Sequence, residues 1–345
     1  MKLSSRRRGR LGGSEQWVVT QQRPRHVDSA GVDPCPDPGP LPAQARLLEL
    51  GDLPLARGTP RRHLRKQRPK RASQSAEPPR ASVINHIRPS RAAQQLTESV
   101  MVDFTGKTVL ITGASGALGT TLSVQFAQAG ANVVAASRSR YHEVAEKAGG
   151  NSVGVRLDVT SETEWTDAIA RTEERFGPLD ILINNAAYLR IGTTESIPLD
   201  EFRRVIDTNL TGALLGIRAA APSMRKAGGG AIVNVNSIAG LTAAPELVAY
   251  SSSKWALRGL MRAAAKGLAR DNIRVNSVHP GIIETPLAYD PDGKPIVPVD
   301  NLAVPRNAAP EEIADFILFA ASDQARFATG SEILADGGYL LGAIA

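Results

Sequence analysis

The stretch Thr108-Val109-Leu110-Ile111-Thr112-Gly113-Ala114-Ser115-Gly116-Ala117-Leu118-Gly119 decides the fold of this chain. Thr108–Ile111 is short, uncharged and aliphatic, as a strand buried on both faces of a sheet must be. Glycines at 113, 116 and 119 then turn the chain into a run with helical spacing, Ala117–Ala129. In such a unit the unsatisfied N–H groups of the helix start meet an anion, and a missing Cβ lets the backbone approach a pyrophosphate closely. A tight strand-to-helix turn without a ligand uses similar residues, so the flanking sequence has to decide.

Outward from this unit, apolar runs and helical patterns alternate. Strands are expected at Asn132–Ala135, Val153–Leu157, Ile181–Ile183, Ala231–Val235, Ile273–Val278 and Glu332–Leu334, and helices at Glu162–Phe176, Leu199–Lys226, Leu247–Arg270 and Pro310–Ala321. The alternation predicts an α/β fold: a single doubly wound Rossmann domain over residues 101–345, with a seven-stranded parallel sheet and helices on both faces.

Residues 1–100 read differently. They hold 12 of the 23 prolines and 19 Lys+Arg against 8 Asp+Glu, which leaves 22 against 26 for the remainder. With no apolar period, the segment buries too little to offset its ordering entropy, and a disordered basic, proline-rich extension is expected. One alternative is an arm for nucleic acid or acidic lipid, which the lack of interleaved aromatics disfavours. Another is an upstream stretch that is not translated, because Met101 stands directly before the compact start Val102-Asp103-Phe104-Thr105-Gly106-Lys107. The basic pI belongs to this segment, so no nucleic-acid partner is expected for the domain. Cys35 is the single cysteine, which excludes an internal disulfide and a thiolate nucleophile from the domain and fits a reducing, cytoplasmic setting. No apolar run reaches the roughly 18 residues of a spanning helix, and neither a membrane nor a metal site is assigned.

Two further patterns carry chemistry. Tyr250-Ser251-Ser252-Ser253-Lys254 puts a phenol and an ammonium four residues apart, on one face of a helix, with Ser237 standing 13 residues before the tyrosine. A phenol with a pKa of about 10 is a poor acid/base near neutrality unless a cation stabilises its phenolate, which Lys254 can do. The Ser237 hydroxyl can hold a substrate oxygen. Taken alone, the pair also fits a half-buried tyrosine beside a solvated lysine. At the end of the second strand stand Ser137 and Arg138, with Arg140 close by. An acid there would bond ribose hydroxyls and repel a 2′-phosphate. Its absence, together with the guanidinium of Arg138, points to NADP(H) over NAD(H).

Thr112 to Gly119 resembles the T-G-x-x-x-G-x-G fingerprint of the classical short-chain dehydrogenase/reductase family, with Gly113 and Gly119 matching and Ala117 in place of the middle glycine. Asp158-Val159 is similar to the family's adenine-contacting pair, although a cap for a helix starting near Ser161 is the structural alternative. Asn184-Asn185-Ala186-Ala187 resembles its N-N-A-G element, with Ala187 where glycine is usual, which would strain the loop if that position needs a positive φ. Pro280-Gly281, Ile283 and Thr285 follow the sixth strand as the nicotinamide-side motif does. The resemblance covers residues 104–338. It implies a cofactor site drawn from Gly113, Ser115, Gly116, Ala117, Leu118 and Gly119 at the turn, Ser137, Arg138, Asp158 and Val159 toward the adenosine, and Asn185, Ala186, Ala187, Pro280, Gly281, Ile283 and Thr285 around the remainder. It implies a catalytic set of Asn209, Ser237, Tyr250 and Lys254, in which Lys254 also grips the nicotinamide ribose and Asn209 holds a helix bend and a relay water. A homotetramer or dimer is implied as well, through Leu199–Lys226, Leu247–Arg270 and the C-terminal strand.

Substrate choice in this fold belongs to loops at the strand ends, here Tyr188–Thr194, Ile238–Val248 and Ile282–Ala309. The last offers Leu287, Tyr289, Ile296, Val297, Leu302 and Val304 and no basic cluster, which favours a mostly apolar secondary alcohol/ketone as the small-molecule partner. Ile191-Gly192-Thr193, Leu215-Gly216-Ile217-Arg218 and Val278-His279-Pro280-Gly281 are similar to bacterial hydroxysteroid dehydrogenases. A 3-oxoacyl-[acyl-carrier-protein] reductase is the alternative within the class. From another class, a non-catalytic dinucleotide-sensing regulator would be expected to lack Tyr250 or Lys254, and both are present.

Overall fold

Seven short runs form strands: β1 (Thr108–Thr112), β2 (Asn132–Ser137), β3 (Ser152–Arg156), β4 (Ile181–Asn184), β5 (Gly230–Val235), β6 (Ile273–Pro280) and β7 (Glu332–Ala335). They lie in one sheet in the order β3-β2-β1-β4-β5-β6-β7, with every neighbouring pair parallel. Strand order reverses between β1 and β4, where Leu110 stands opposite Leu182, so the crevice above that pair is the topological switch point. The computed structural model describes residues 102–289 and 292–342; the readings made for residues 1–100 and for Met101 fall outside them.

Helices α1 (Ala117–Gln128), α2 (Tyr141–Ala148), α3 (Glu162–Phe176), α4 (Leu199–Ile206), α5 (Gly212–Lys226), α6 (Val248–Leu268) and α7 (Pro310–Ala321) connect the strands. Because alternate strand residues face opposite ways, the sheet sits between two cores. Val109, Ile111 and Val233 pack with Leu122 and Phe126 of α1 and Ile313 and Ile317 of α7. Leu110, Leu182 and Ile232 pack with Trp165 of α3, Met224 of α5 and Met261 of α6.

The structure corrects the expected helices in two places. Leu199–Lys226 is helical throughout, as expected, but not α throughout: a π turn, Asp207–Thr211, is inserted between α4 and α5. The extra residue per turn swings Asn209 inward, where its side chain is buried. Helix α2 gave no periodic signal because it buries only Val144 and Ala145. It is framed instead by backbone geometry, with left-handed Arg140 (φ 56°) before it and Gly149 (φ 67°) after it.

Candidate active site

The glycine turn is built by close approach. Gly113 has φ 63°, and a Cβ there would lie 2.8 Å from Ala186 Cα; a Cβ on Gly119 would lie 2.3 Å from the Gly113 carbonyl oxygen. Across the switch point, Thr112 Oγ1 accepts the N–H groups of Asn185 (2.9 Å) and Ala186 (3.0 Å). Asn185 Nδ2 donates back to the Thr112 (2.9 Å) and Gly113 (3.2 Å) carbonyls. This reciprocal clasp fixes the turn against the end of β4. Helix α1 starts at Gly116 with no side-chain cap and no acidic residue in its first turn, whereas α3 is capped by Ser161 accepting from Glu164 N–H. The orphan donors of α1 therefore remain free for an anion.

At the end of β5, Ser237 is extended and starts the 3₁₀ turn Ile238–Gly240. Its Oγ accepts Ala239 N–H at 3.1 Å, which leaves the hydroxyl proton to donate outward. Tyr250, in the first turn of α6, lies within hydrogen-bonding reach of Ser237; burial pushes its phenol up to about 12 and the Ser237 contact pulls the other way. Four residues on, Lys254 is 2% exposed, donates from Nζ to the Val235 carbonyl at 2.8 Å and sits 5.5 Å from the Tyr250 ring centre. Burial pushes its ammonium down to about 8.

Asn209 closes the site from the π turn. Its Oδ1 accepts Tyr188 N–H, and its Nδ2 donates to the Tyr188 carbonyl and to Ser253 Oγ. Ser253 in turn donates to the Tyr250 carbonyl at 2.7 Å. Asn209, Lys254, Thr208 and Ala213 help line a cavity of about 10 Å³, close to the smallest space that holds a water molecule.

A sequence profile described as Enoyl-(Acyl carrier protein) reductase matches residues 113–340. The chain is 42% identical over 248 residues to the trans-4-hydroxycyclohexanecarboxylate dehydrogenase of Sinomonas cyclohexanicum, covering 68% of this chain and 93% of that one. It is 37% identical over 241 residues to a 3-alpha-(or 20-beta)-hydroxysteroid dehydrogenase of Mycobacterium tuberculosis, covering 69% and 90%. A crystal structure of a short-chain type dehydrogenase/reductase from Mycobacterium marinum superposes with a TM-score of 0.66 at 35% identity, over 69% of this chain and 96% of that one. The chain belongs to the short-chain dehydrogenase/reductase family. It is an oxidoreductase acting on CH–OH/C=O groups, built on the family's NAD(P)-binding fold.

The departures from the family pattern are accommodated locally. Ala117 is exposed on the first turn of α1. Ala187 needs no positive φ, since Arg140 and Asn272 are the positive-φ residues other than glycine among the described residues. Asp158 does not cap α3: its Oδ1 accepts the Thr160 N–H and hydroxyl. Burial raises its carboxyl, and the Thr160 bonds outweigh this and hold it below the usual carboxylate value. Ser137 is buried and donates to the Ser139 carbonyl. Arg140 is tied to the Ser115 carbonyl at 2.9 Å, while Arg138 is exposed beside them. Gly281 is packed against Asp336, where a Cβ would lie 2.9 Å from Cα. Ile283 bridges to Ala308, and Thr285 begins the short turn Pro286–Ala288.

Some members of this short-chain dehydrogenase/reductase site carried no sequence signal of their own. Ser253 reads as a polar helix residue, yet it joins the π turn to α6 through Asn209. Tyr188 lies in a strand-end loop; its hydroxyl donates to Glu201 at 2.7 Å, and the Arg204 guanidinium lies over its ring.

Proposed function

We propose that the chain interconverts a mostly apolar ring ketone and its secondary alcohol with NADP(H), using Tyr250 as the acid/base. The observation that carries this reading is the convergence on one spot of the Tyr250 phenol, the Ser237 hydroxyl within hydrogen-bonding reach of it and the buried Lys254 ammonium. The free N–H groups of α1 and the Gly113 turn suit a pyrophosphate, Arg138 suits a 2′-phosphate, and Lys254 suits a ribose hydroxyl. When bound, the dinucleotide supplies or accepts the hydride. Ser237 donates to the carbonyl oxygen and holds it toward Tyr250. As negative charge grows on that oxygen, the Tyr250 proton moves onto it, and Lys254 stabilises the phenolate left behind. Asn209 and the small cavity beside Lys254 give the ammonium a route to replace the proton.

The ring preference follows from the two named relatives, dehydrogenases of a hydroxycyclohexanecarboxylate and of a hydroxysteroid, and from a substrate-side segment, residues 282–309, in which Glu284 and Arg306 are occupied by local partners. Glu284 in that segment is engaged by Tyr289 (2.6 Å) and Asn307 (2.8 Å), and Glu312 by Arg306. The test is oxidation of NADPH and of NADH with cyclohexanone, cyclopentanone, a ketosteroid and a carrier-bound 3-oxoacyl thioester. Turnover of the thioester alone would replace this reading with the carrier-protein reductase, and binding of NADPH without turnover of any ketone would favour a sensor.

A second copy of the chain is the proposed partner. Leu199 and Leu214 on α4 and α5, Trp255 on α6, Phe316 and Phe319 on α7 and Leu334 on the edge strand β7 are all exposed, and large apolar side chains and an open sheet edge are what an interface between copies covers. Light scattering that gives a monomer at micromolar concentration would reject the assembly.

A further inference from the structure

Beneath Ser237 lies a histidine that the chemistry above does not use. His279 is fully buried near the end of β6. Its Nδ1 is 3.1 Å from the Ser237 carbonyl oxygen and its Nε2 is 2.9 Å from Ser277 Oγ. A carbonyl oxygen can only accept, so Nδ1 carries the ring proton; in the neutral ring Nε2 is then bare and accepts from the Ser277 hydroxyl. The surroundings keep the ring neutral. Burial lowers its basicity most; the Ser237 carbonyl and Glu332 of β7 oppose this, while Arg258 and Lys254 of α6 reinforce it. Ser237 is thereby held on all sides: Asn236 N–H donates to the Val278 carbonyl at 2.8 Å, the Ser237 carbonyl accepts from His279, and Ser237 Oγ accepts from Ala239 N–H.

We propose that His279 is a positioning residue for the carbonyl chemistry: its Nδ1–H fixes the Ser237 peptide, and with it the direction in which the Ser237 hydroxyl reaches the substrate oxygen. The inference rests on the reading of Ser237 as the donor to that oxygen. The histidine shares the Ser237 carbonyl with the turn and is its tie to the sheet. The β5 ladder ends at Val235 opposite Val278, and the 3₁₀ turn gives the Ser237 carbonyl one donor of its own, Gly240 N–H at 3.0 Å, which ties it to the turn and not to β6. Without the imidazole the Ser237 carbonyl keeps the Gly240 N–H and loses its one side-chain tie to β6, so the turn that carries Ser237 can shift relative to the sheet.

The test uses the full chain with His279→Asn, His279→Gln, His279→Leu and Ser237→Ala, together with ¹⁵N-resolved NMR of the wild-type His279 ring. An asparagine amide places an N–H near the position of Nδ1, whereas glutamine reaches toward Nε2. His279→Asn is expected to keep kcat within about threefold, and His279→Gln and His279→Leu to lose about tenfold to a hundredfold in kcat with the KM for cofactor unchanged. The ring should appear as the Nδ1-protonated tautomer at neutral pH. Should the leucine variant not fold, the asparagine and glutamine pair decides by itself. Wild-type kcat in His279→Leu, or equal losses in the asparagine and glutamine variants, would overturn the proposal. A ring protonated at Nε2 would overturn the role of His279 with the reading of Ser237 intact, whereas wild-type kcat in Ser237→Ala would overturn that reading itself.

Discussion

Asn209 grips Tyr188 by both backbone groups: Oδ1 accepts the Tyr188 N–H at 2.7 Å and Nδ2 donates to the Tyr188 carbonyl at 3.0 Å. The amide thus stands in for a strand partner just beyond the end of β4. The same Nδ2 reaches Ser253 on α6, so the loop after β4, the π turn and the Tyr250 helix are locked as one unit. Asn209→Ala leaves the Tyr188 N–H and carbonyl without their side-chain partner and takes one donor from the buried Ser253 Oγ, and is expected to cost about 2 kcal/mol in stability and about a hundredfold in kcat. Asn209→Asp keeps the acceptor and loses both donors, so it should fall between wild type and alanine in both measurements. Equal melting temperatures and turnover for all three proteins would show that the unit is not needed.

The pH dependence of the two directions should diverge. With the phenol near 12, Tyr250 is protonated at neutrality, the form that ketone reduction consumes; alcohol oxidation needs the phenolate and should climb with pH. Lys254 loses its proton above about 8, so reduction should decline there as the phenolate loses its cation. The ratio of oxidation to reduction rates should rise steadily from about pH 6 to 10, and Tyr250→Phe should lower both by about a thousandfold with cofactor binding retained. Because folding depresses Lys254 from 10.5 to about 8, the native state binds fewer protons than the unfolded chain across that range. Its contribution to stability is therefore present above 10.5 and lost as pH falls through about 8. A flat rate ratio, or an active phenylalanine variant, would contradict the assignment of Tyr250.

For the cofactor, NADPH is expected to exceed NADH in kcat/KM. Arg138→Ala should narrow the gap about tenfold or more, the worth of a hydrogen bond to a charged group. Adding Ser137→Asp should reverse the preference, since the carboxylate repels a 2′-phosphate and accepts from ribose hydroxyls. Arg140→Ala serves as the contrast: its guanidinium is committed to the Ser115 carbonyl, so its loss should weaken both cofactors alike. A wild-type preference for NADH would refute the reading of Ser137 and Arg138.

What was legible in the sequence follows from how each feature is encoded. The seven strands and the phosphate turn were readable because buried parallel strands are continuous apolar runs and the turn needs glycines at fixed spacing. The Tyr250–Lys254 pair was readable because helical spacing puts i and i+4 on one face. The π turn at Asn209 was not, because one inserted residue leaves the apolar pattern of Leu199–Lys226 almost unbroken. Nor were the clasp of Thr112 with Asn185 or the bond from His279 to Ser237, since these join residues 73 and 42 positions apart and depend on strand order, which no local pattern contains.

Two glycines in the turn should respond oppositely to the same methyl group. Gly119→Ala drives Cβ to 2.3 Å from the Gly113 carbonyl oxygen and 2.8 Å from Ala114 Cα, backbone atoms that can yield only by reshaping the turn. A loss of about 1–3 kcal/mol is expected, together with weaker cofactor binding. Gly116→Ala meets nothing in the protein nearer than 3.4 Å and keeps a φ of −74°, so its melting temperature should stay near wild type. Similar behaviour of the two variants would show that the fit of the turn is not what constrains it.

The last prediction concerns where the folded domain needs to begin, which we place at Met101. Phe104 is 2% exposed, stacks on Phe126 at 4.8 Å between ring centres, and donates its N–H to the Ala129 carbonyl at 2.8 Å. Asp103 is bonded by both the N–H and the hydroxyl of Thr105, and Lys107 pairs with Asp180 at the start of β4. These contacts tie the lead-in to α1 and the sheet using residues 103–107 alone. A chain beginning at Met101 should therefore keep the melting temperature, cofactor affinity and kcat of the full chain, while its charge balance turns from basic to 22 Lys+Arg against 26 Asp+Glu. A chain beginning at Lys107 removes Phe104 from the core and should lose about 3–5 kcal/mol, as truncating a buried phenylalanine does. The two truncations bracket the boundary. If the Met101 chain melts as low as the Lys107 chain, residues before 101 contribute to the fold and the boundary lies upstream; if the Lys107 chain is as stable as the full chain, Phe104 is not part of the core that holds the phosphate turn in place.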